Sequence, residues 1–517
     1  MRRHERVTFK QYAQDQMLLL PPHLGELIPE DHPVRVVSRV MDSLSLAPLL
    51  ARYKGGGTSS YDPRMMLKVL VYAYSQRLYS SRRIAKALRE NVYFMWLAGG
   101  NKPDFRTINR FRGEILRGVM ESVFAAVTDL LLEKGCVRLE DYFVDGTKIE
   151  ANAGKYSYVW AKSTKRYKRQ VKEKIHQLLR EAEAENEAEN AKYGDRDLDE
   201  MEGKEVTADD VERTVQEIEE RLADKASRSA RKAIRALRRD CIPRLRRYEQ
   251  QENTLGARGS YSKTDHDATF MRMKERTVAG EPLKPAYNVQ IGTENQFVLG
   301  YSLHQRPGDT GCLIPHLREW LRRWGHAPRR VITDAGYGSE ENYAFLDGTG
   351  LGSYVKYNTF DREQKKRRRP TRFRPANWPY DAALDVYICP AGNRLTYKGI
   401  RTYTSANGYQ SQSRVYEAHD CQGCALRPQC TRSQTNRRMQ TSAKLQAYKR
   451  QAATNLNSPT GRTLRSRRLV EAEAVFGRLK HNWGFRRFLL RGIEKAETEW
   501  GILCMAHNLT RLATLSA

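Results

Sequence analysis

Long apolar runs are absent from this sequence: nowhere do about 18 hydrophobic residues follow one another, so no membrane-spanning helix is expected. The start, Met1-Arg-Arg-His-Glu5, leads into polar sequence without the apolar stretch of a secretion signal, and the expected location is the cytoplasm. Cysteine is scarce, with 8 in 517 residues and four of them isolated at 136, 241, 312 and 504, which excludes a disulfide-stapled secreted scaffold. Negative charge is in deficit as well: 61 Asp plus Glu face 90 Lys plus Arg, a formal net charge of +29. A surplus that large favours a polyanionic partner, nucleic acid first. The basic residues lie in stretches that also carry core-like apolar patterns, unlike a disordered tail, although a merely soluble or ribosome-associated basic protein would share the composition. The length exceeds one compact core and predicts two to four domains, interrupted ones included.

What is present begins with helices. Met65–Tyr74 is a strongly apolar helix opening after Asp62-Pro63, a cap followed by a first-turn proline. Ser80–Arg89 starts with serines suited to N-capping, and Asp104–Leu116 follows a Gly-Gly-Asn-Lys-Pro turn. Short Arg-rich helices separated by a turn suggest a helix-turn-helix reader in which Arg106, Asn109, Arg110 and Arg112 face DNA. An ordinary helical bundle with solvated arginines has the same pattern.

The apolar run Tyr142-Phe-Val144 then leads to Asp145, read as a carboxylate at the end of a buried strand. From about 163 to 251 the chain is charged and helix-prone, with Val171, Ile175 and Leu178 on one face and Val211, Val215, Ile218 and Leu222 on another. Asn190–Asp197 between them reads as the turn of a helical hairpin, an antiparallel arm. Strand patterning resumes at Ala286–Ile291 and Phe297–Leu303, a hairpin across Gly-Thr-Glu-Asn. An amphipathic helix at 313–324 follows, then a strand at 329–333 that ends in a second acid, Asp334. A late helix carries Glu471 and Glu473; two residues apart, they point about 200° from one another, so only one can face a shared site.

Carboxylates on separate rigid elements are what a pair of Mg²⁺ ions about 4 Å apart requires. Each alone is equally well a turn former or a helix cap. Beyond the late acid, Arg486, Arg487 and Arg491 beside Trp483 and Phe485 offer charge and stacking surface for DNA. Cys389, Cys421, Cys424 and Cys430, spaced Cys-x31-Cys-x2-Cys-x5-Cys, suit a structural Zn²⁺ in a reducing compartment, with four free thiols as the alternative. The basic run Lys365–Arg369 reads as a DNA contact or a solvated loop.

Three stretches together resemble the DDE-type transposases of bacterial insertion sequences: Val144-Asp-Gly-Thr-Lys-Ile-Glu-Ala-Asn152, Thr333-Asp-Ala-Gly-Tyr-Gly-Ser-Glu340, and Glu473-Ala-Val-Phe-Gly-Arg-Leu-Lys480 followed by Gly484–Gly492. The likeness extends over nearly the whole chain, including Thr264-Asp-His-Asp-Ala-Thr269 and a cysteine-bearing insert typical of one subgroup. It implies an α/β ribonuclease H-like core with an N-terminal all-helical domain. The expected plan is a helical DNA-binding domain (1–135), the core in three parts (136–162, 257–358 and 465–517), an inserted helical arm (163–256) and a basic Cys-rich insert (359–464). Asp145, Asp334 and Glu473 become the expected catalytic acids and Mg²⁺ or Mn²⁺ ligands, with Lys480 matching the family's Glu-x6-Lys spacing and contacting a phosphate. The family's preceding arginine falls at Arg467 or Arg468, a departure that keeps Glu471 open as the third acid. Further implied are binding of double-stranded DNA at the element's inverted repeats and in the target by Lys480, Arg486, Arg487, Arg491, Arg106 and Arg110, cleavage and strand transfer, a homodimer in the synaptic complex, no membrane partner, and association with the bacterial nucleoid. A structure-selective nuclease without strand transfer, or a non-catalytic DNA-binding derivative, would retain much of this pattern.

Overall fold

The computed structural model describes residues 23–53, 60–193, 206–222, 227–273, 282–364 and 372–516; the Lys365–Arg369 run and the end of the expected arm turn, 194–197, lie outside them. The chain divides into two compact units, 1–127 with 502–517, and 128–501. Among the described residues no helix is long and apolar enough to cross a membrane.

The first unit is helical: α1 (Pro33–Ser43), α2 (Pro63–Ser75), α3 (Ser81–Glu90), α4 (Phe105–Arg110) and the start of α5 (Met120–Glu133). Asp62 caps α2 as its sequence predicts, accepting from Met65 N at 2.8 Å, and every residue from Val69 to Tyr74 is buried, so α2 is the centre of this unit. Asp104 caps α4 through Thr107 N at 2.7 Å, and the helix continues into a π-turn, Phe111–Ile115. That turn corrects one expectation. Arg112 does not face DNA; it is 2% exposed and donates to Tyr74 Oη, Tyr79 O and Asn109 Oδ1 at 2.7–3.1 Å. A guanidinium brings five donors, and acceptors on Tyr74, Tyr79 and Asn109 take hydrogen bonds from it here.

The second unit is built on a mixed six-stranded sheet. In it β5 (Leu283–Glu294) carries β4 (Thr269–Arg272) and β6 (Phe297–His304) and runs antiparallel to β1 (Asp141–Glu150), which is parallel to β7 (Arg330–Thr333), itself parallel to β8 (Gly352–Val355). The β5–β6 hairpin turns on Asn295 and Gln296, both at positive φ, so β5 runs three residues beyond the expected strand end at Ile291. One face of β1 presents Tyr142, whose ring occupies the space a Cβ would take at Gly292. Its hydroxyl is 2.7 Å from His316 Nε2 on α10 (Leu313–Trp324). On the other face Phe143 packs with Ile332 and with Leu464 of α13 (Pro459–Arg467).

Two insertions leave this core. Between the paired strands β2 (Tyr158–Trp160) and β3 (Ser260–Ser262) run α6 (Ala161–Tyr193), α7 (Ala208–Leu222), α8 (Arg228–Ala236) and α9 (Ile242–Leu255). The two-stripe arm read from the sequence is thus richer in structure. Val171, Ile175 and Leu179 close on Val211, Val215 and Ile218, and both sets close on a third stripe, Ala230, Ala233, Leu237, Cys241 and Leu245. Leu179 takes the core place assigned to Leu178 because i, i+4, i+8 tracks the 3.6-residue period around this contact. The second insertion is a five-stranded antiparallel sheet of β9 (Tyr380–Asp381), β10 (Val386–Ile388), β11 (Arg394–Thr404), β12 (Gln410–Ala418) and β13 (Arg438–Thr441). Its small core is Trp378, Leu395, Tyr416 and Met439, with Cys389, Cys421 and Cys430 against it. α11 (Glu340–Gly348) precedes this insertion, and the chain returns through α12 (Ala443–Asn457), α13, α14 (Ala472–Gly477) and α15 (Ile493–Ser516).

Burial pushes the imidazoles of His316 and His304 down from 6.5 to about 3 and about 4. The fold therefore favours the neutral bases, and the unfolded chain binds more protons between those values and 6.5. The stability they contribute is present above pH 6.5 and lost as pH falls toward 4. Denaturant titrations from pH 7 to pH 4 are expected to show a falling unfolding free energy, with a shallower fall in His316→Gln.

Candidate active site

Parallel pairing of β1 with β7 joins Asp141 to Arg330, Tyr142 to Val331 and Phe143 to Ile332. The same offset carried two residues on joins Asp145 to Asp334. Because side chains alternate along a strand, both acids follow the face of Phe143 and Ile332, the face that α13 covers. Asp334 leaves β7 as expected of a strand end: its Oδ1 accepts from Gly336 N at 2.8 Å and caps the turn Ala335–Tyr337. Asp145 corrects the reading. It does not end its strand, because β5 goes on pairing with β1 as far as Glu150 opposite Ala286. What stops near Asp145 is the partner on the other side, β7, so a half-buried carboxylate stands where the sheet opens.

Arginines from the α13–α14 connection enter this opening. Asp141 accepts from Arg330 on the next strand and from Arg467 Nη1 at 3.0 Å, and the Arg467 guanidinium lies over the Phe143 ring at 5.1 Å. Arg468, only 11% exposed, grips Glu473 Oε1 with both terminal nitrogens at 2.6 and 2.7 Å and stands 4.0 Å from Asp334 Oδ2. One guanidinium therefore spans two of the three expected acids. Among the described residues no three His, Cys, Asp or Glu side chains are already gathered as a metal-ligand set.

One helix was expected to carry both glutamates, but Glu471 precedes α14 as its N-cap residue and only Glu473 lies on it, and the two occupy different surroundings. Glu471 is 4% exposed; its Oε2 accepts from Gln296 N at 2.7 Å and its Oε1 from Arg467 at 3.2 Å, which ties α14 to the β5–β6 turn. Glu473 is 40% exposed and turned to Arg468 and the opening. Lys480, seven residues on, donates to Thr147 Oγ1 at 3.1 Å and to Lys148 O at 3.3 Å, on β1 just past Asp145.

The arginines beyond follow the end of β1. Arg491 donates to Asn152 O at 3.0 Å, Arg487 to Ala153 O at 3.4 Å, and Arg486 to Lys480 O at 3.4 Å. Trp483 and Phe485 do not offer a stacking surface: both are buried, Phe485 edge-on to Phe488 and near Trp500, because the aromatic area is needed for the core under this segment. Asp265 and Asp267, in the Thr264–Thr269 stretch, accept from Gly492 N and Ile493 N and so cap the start of α15. In the first unit, Arg106 and Arg110 line an open groove of about 610 Å³ with Arg82, Phe105 and Asn109, and Arg110 pairs with Glu114 at 3.7 Å.

Sequence reasoning missed Asp309, which lies in the turn Pro307-Gly-Asp-Thr-Gly311 between β6 and α10. Burial first, then the charges of Asp309, Asp145 and Asp334, hold the Tyr337 phenol well above its ordinary value, so one buried ring senses all three carboxylates. A turn that rich in glycine, placed between a strand and a helix, was the available signal.

Cys389, Cys421, Cys424 and Cys430 line one cavity of about 20 Å³ in the second insertion, none of them in a disulfide. Burial pushes the Cys430 thiol up, and the other three sulfurs add to the shift.

Residues 22–114 match the family model described as Transposase domain (DUF772), and residues 388–513 match the one described as Transposase DDE domain. No curated protein matches the sequence. The second match contains Glu473 and Lys480 but neither Asp145 nor Asp334.

The environments of the two glutamates predict a split in their variants. Glu471→Ala removes the buried acceptor of Gln296 N and one partner of Arg467, which keeps Asp141, and is expected to cost about 2 kcal/mol in denaturant unfolding. Glu473→Gln is expected to leave the midpoint nearly unchanged.

Proposed function

The chain belongs to the DDE-type insertion-sequence transposases, and on that premise we propose that it cuts the terminal inverted repeats of its own element and joins the freed ends to target DNA, with Asp145, Asp334 and Glu473 as the carboxylates of the reaction. The observation that supports this reading is the β1–β7 register, which pairs Phe143 with Ile332 and, carried two residues on, would bring Asp145 level with Asp334 just past the end of β7. Glu473 joins them through Arg468, which already supplies positive charge among these acids. Glu471 is set aside as the third acid because its oxygens are occupied by Gln296 N, Thr293 Oγ1 and Arg467.

The donor set is hard oxygen throughout, which suits Mg²⁺ or Mn²⁺. Such ions, when bound, would activate water or a 3′-hydroxyl and offset charge on the leaving oxygen of a phosphodiester. The chain's own part is to hold the three carboxylates on separate rigid elements and to surround them with cations. Arg468 yields its place between Asp334 and Glu473 and turns its guanidinium to a DNA phosphate, for which its planar fork is well matched. Lys480 meets a phosphate near the cut, while Arg486, Arg487 and Arg491 follow the backbone along the end of β1. The groove at Arg106 and Arg110 serves the element ends. The protein works as a homodimer in a synaptic complex in the bacterial cytoplasm, at the nucleoid. The domain plan read from the sequence is kept as part of this proposal, with the helical insertion serving synapsis or end binding.

For the second insertion we propose a structural Zn²⁺ held by Cys389, Cys421, Cys424 and Cys430; the four soft sulfur donors line one small cavity, though they are not gathered as a ligand set without the ion. Elemental analysis is expected to find one zinc per chain in the wild type and none in Cys424→Ser; full zinc content in that variant would refute the ligand set.

Nicking of element-end duplexes in Mg²⁺ is expected to fall to background in Asp334→Asn, and nicking at the wild-type rate would sink the site assignment. Joining of the freed 3′ end to a second duplex separates a transposase from a nuclease.

A further inference from the structure

Asp309 is held in an unusual way for an acid in a glycine-rich turn. Carboxylates that merely form turns bond their own neighbouring backbone. Asp309 Oδ1 instead accepts from two side-chain amides of β5, Asn288 Nδ2 at 2.8 Å and Gln290 Nε2 at 3.1 Å. Both amides are fully buried, and Gln290 sits opposite Gly146, the residue after Asp145. Two neutral donors on one oxygen fix the orientation of the carboxylate without neutralising it.

That orientation brings Asp309 against both acid-bearing segments. A methyl carbon built on Gly146 would lie 2.7 Å from Asp309 Oδ1, and one built on Gly336 would lie 3.0 Å from Asp334 Oδ1 and 3.6 Å from Asp309 Oδ2. Glycine at 146 leaves the carboxylate room to approach, while at Gly336 the approach is an ordinary contact. Thr310 Oγ1 donates to Gly336 O at 2.7 Å, which fastens the Asp309 turn to the turn that follows Asp334. The turn is braced from its other side by Arg306, whose guanidinium donates to Gly311 O at 3.3 Å and to Asn407 Oδ1 at 2.7 Å, at the tip of the β11–β12 hairpin.

Resting on the reading of Asp145 and Asp334 given above, we propose that Asp309 is a positioning residue of the acidic site. Its fixed negative charge and its contacts behind Gly146 and Gly336 set how strongly those two acids take up a divalent cation. Like charges gathered this closely repel, and a shared cation relieves the repulsion. The hairpin of the Cys-bearing insertion thereby acts on the site at one remove, through Arg306.

Mn²⁺ binding to the full-length protein, followed by electron paramagnetic resonance of the free ion, tests this without DNA. Asp309→Asn keeps an acceptor for both amides and is expected to raise the Kd about tenfold at an unchanged unfolding midpoint. Asp309→Glu is expected to restore much of the affinity, as a purely structural role would not require. Should Asp309→Asn fail to fold, the half-exposed Arg306→Ala is expected to raise the Kd about threefold by freeing the turn. Wild-type affinity in the folded Asp309→Asn variant, or in Arg306→Ala if that variant is the one available, overturns the inference while leaving the site reading intact. A wild-type protein that takes up no Mn²⁺, or an Asp145→Asn variant that binds as well as wild type, overturns the site reading and this inference together.

Discussion

The acidic opening depends on the register of β1 against β7. Parallel pairing runs to Phe143 and Ile332, its offset carried two residues on brings Asp145 level with Asp334, and a slip of one residue would send one of the two to the opposite face of the sheet. Asp141 pins that register electrostatically, since its carboxylate holds Arg330 on the neighbouring strand and Arg467 from the helix above. The same bond to Arg467 draws the α13–α14 connection across the sheet, which is how a residue more than a hundred positions downstream reaches the strand ends. A single buried carboxylate thus organises the strand pair and the helix together.

Charge is arranged in opposition at two scales. The chain as a whole carries +29, yet acids stand where β7 ends beside β1 in the middle of one sheet. Arginines settle the local imbalance: Arg467 binds the structural pair Asp141 and Glu471, and Arg468 spans Asp334 and Glu473. Two adjacent arginines on one turn point to different acids and serve different ends, one closing the core and one facing the opening. A guanidinium at 4.0 Å from one acid and in contact with another is a cation in a place that favours cations.

The insertions relate differently to the core. The helical one closes its own apolar cluster and meets the core through the short β2–β3 ribbon, so its packing is largely self-contained. The Cys-bearing sheet reaches back: Tyr409 Oη donates to Glu340 Oε1 at 3.1 Å, and Asn407 holds Arg306. Its hairpin tip is therefore part of the support of the Asp309 turn.

Local order alone determined much of this protein. Apolar periodicity marked α2, β1, β5 and α10; the cap at Asp62 and the Gly-Gly-Asn-Lys-Pro turn before Asp104 marked helix starts; and the two aspartates were visible as acids closing apolar runs. These are properties of neighbouring residues, and a chain carries them wherever it folds. Tertiary structure alone decided which acids share an opening, because the β1–β7 register, the burial of Glu471 and the exposure of Glu473 arise from segments far apart in sequence. It also decided that Arg112, Trp483 and Phe485 are interior, since a residue type does not reveal which side of a helix or loop the core will claim. Asp309 shows the limit most clearly: its weight comes from Asn288, Gln290, Gly146 and Gly336, four positions that only folding brings to one place.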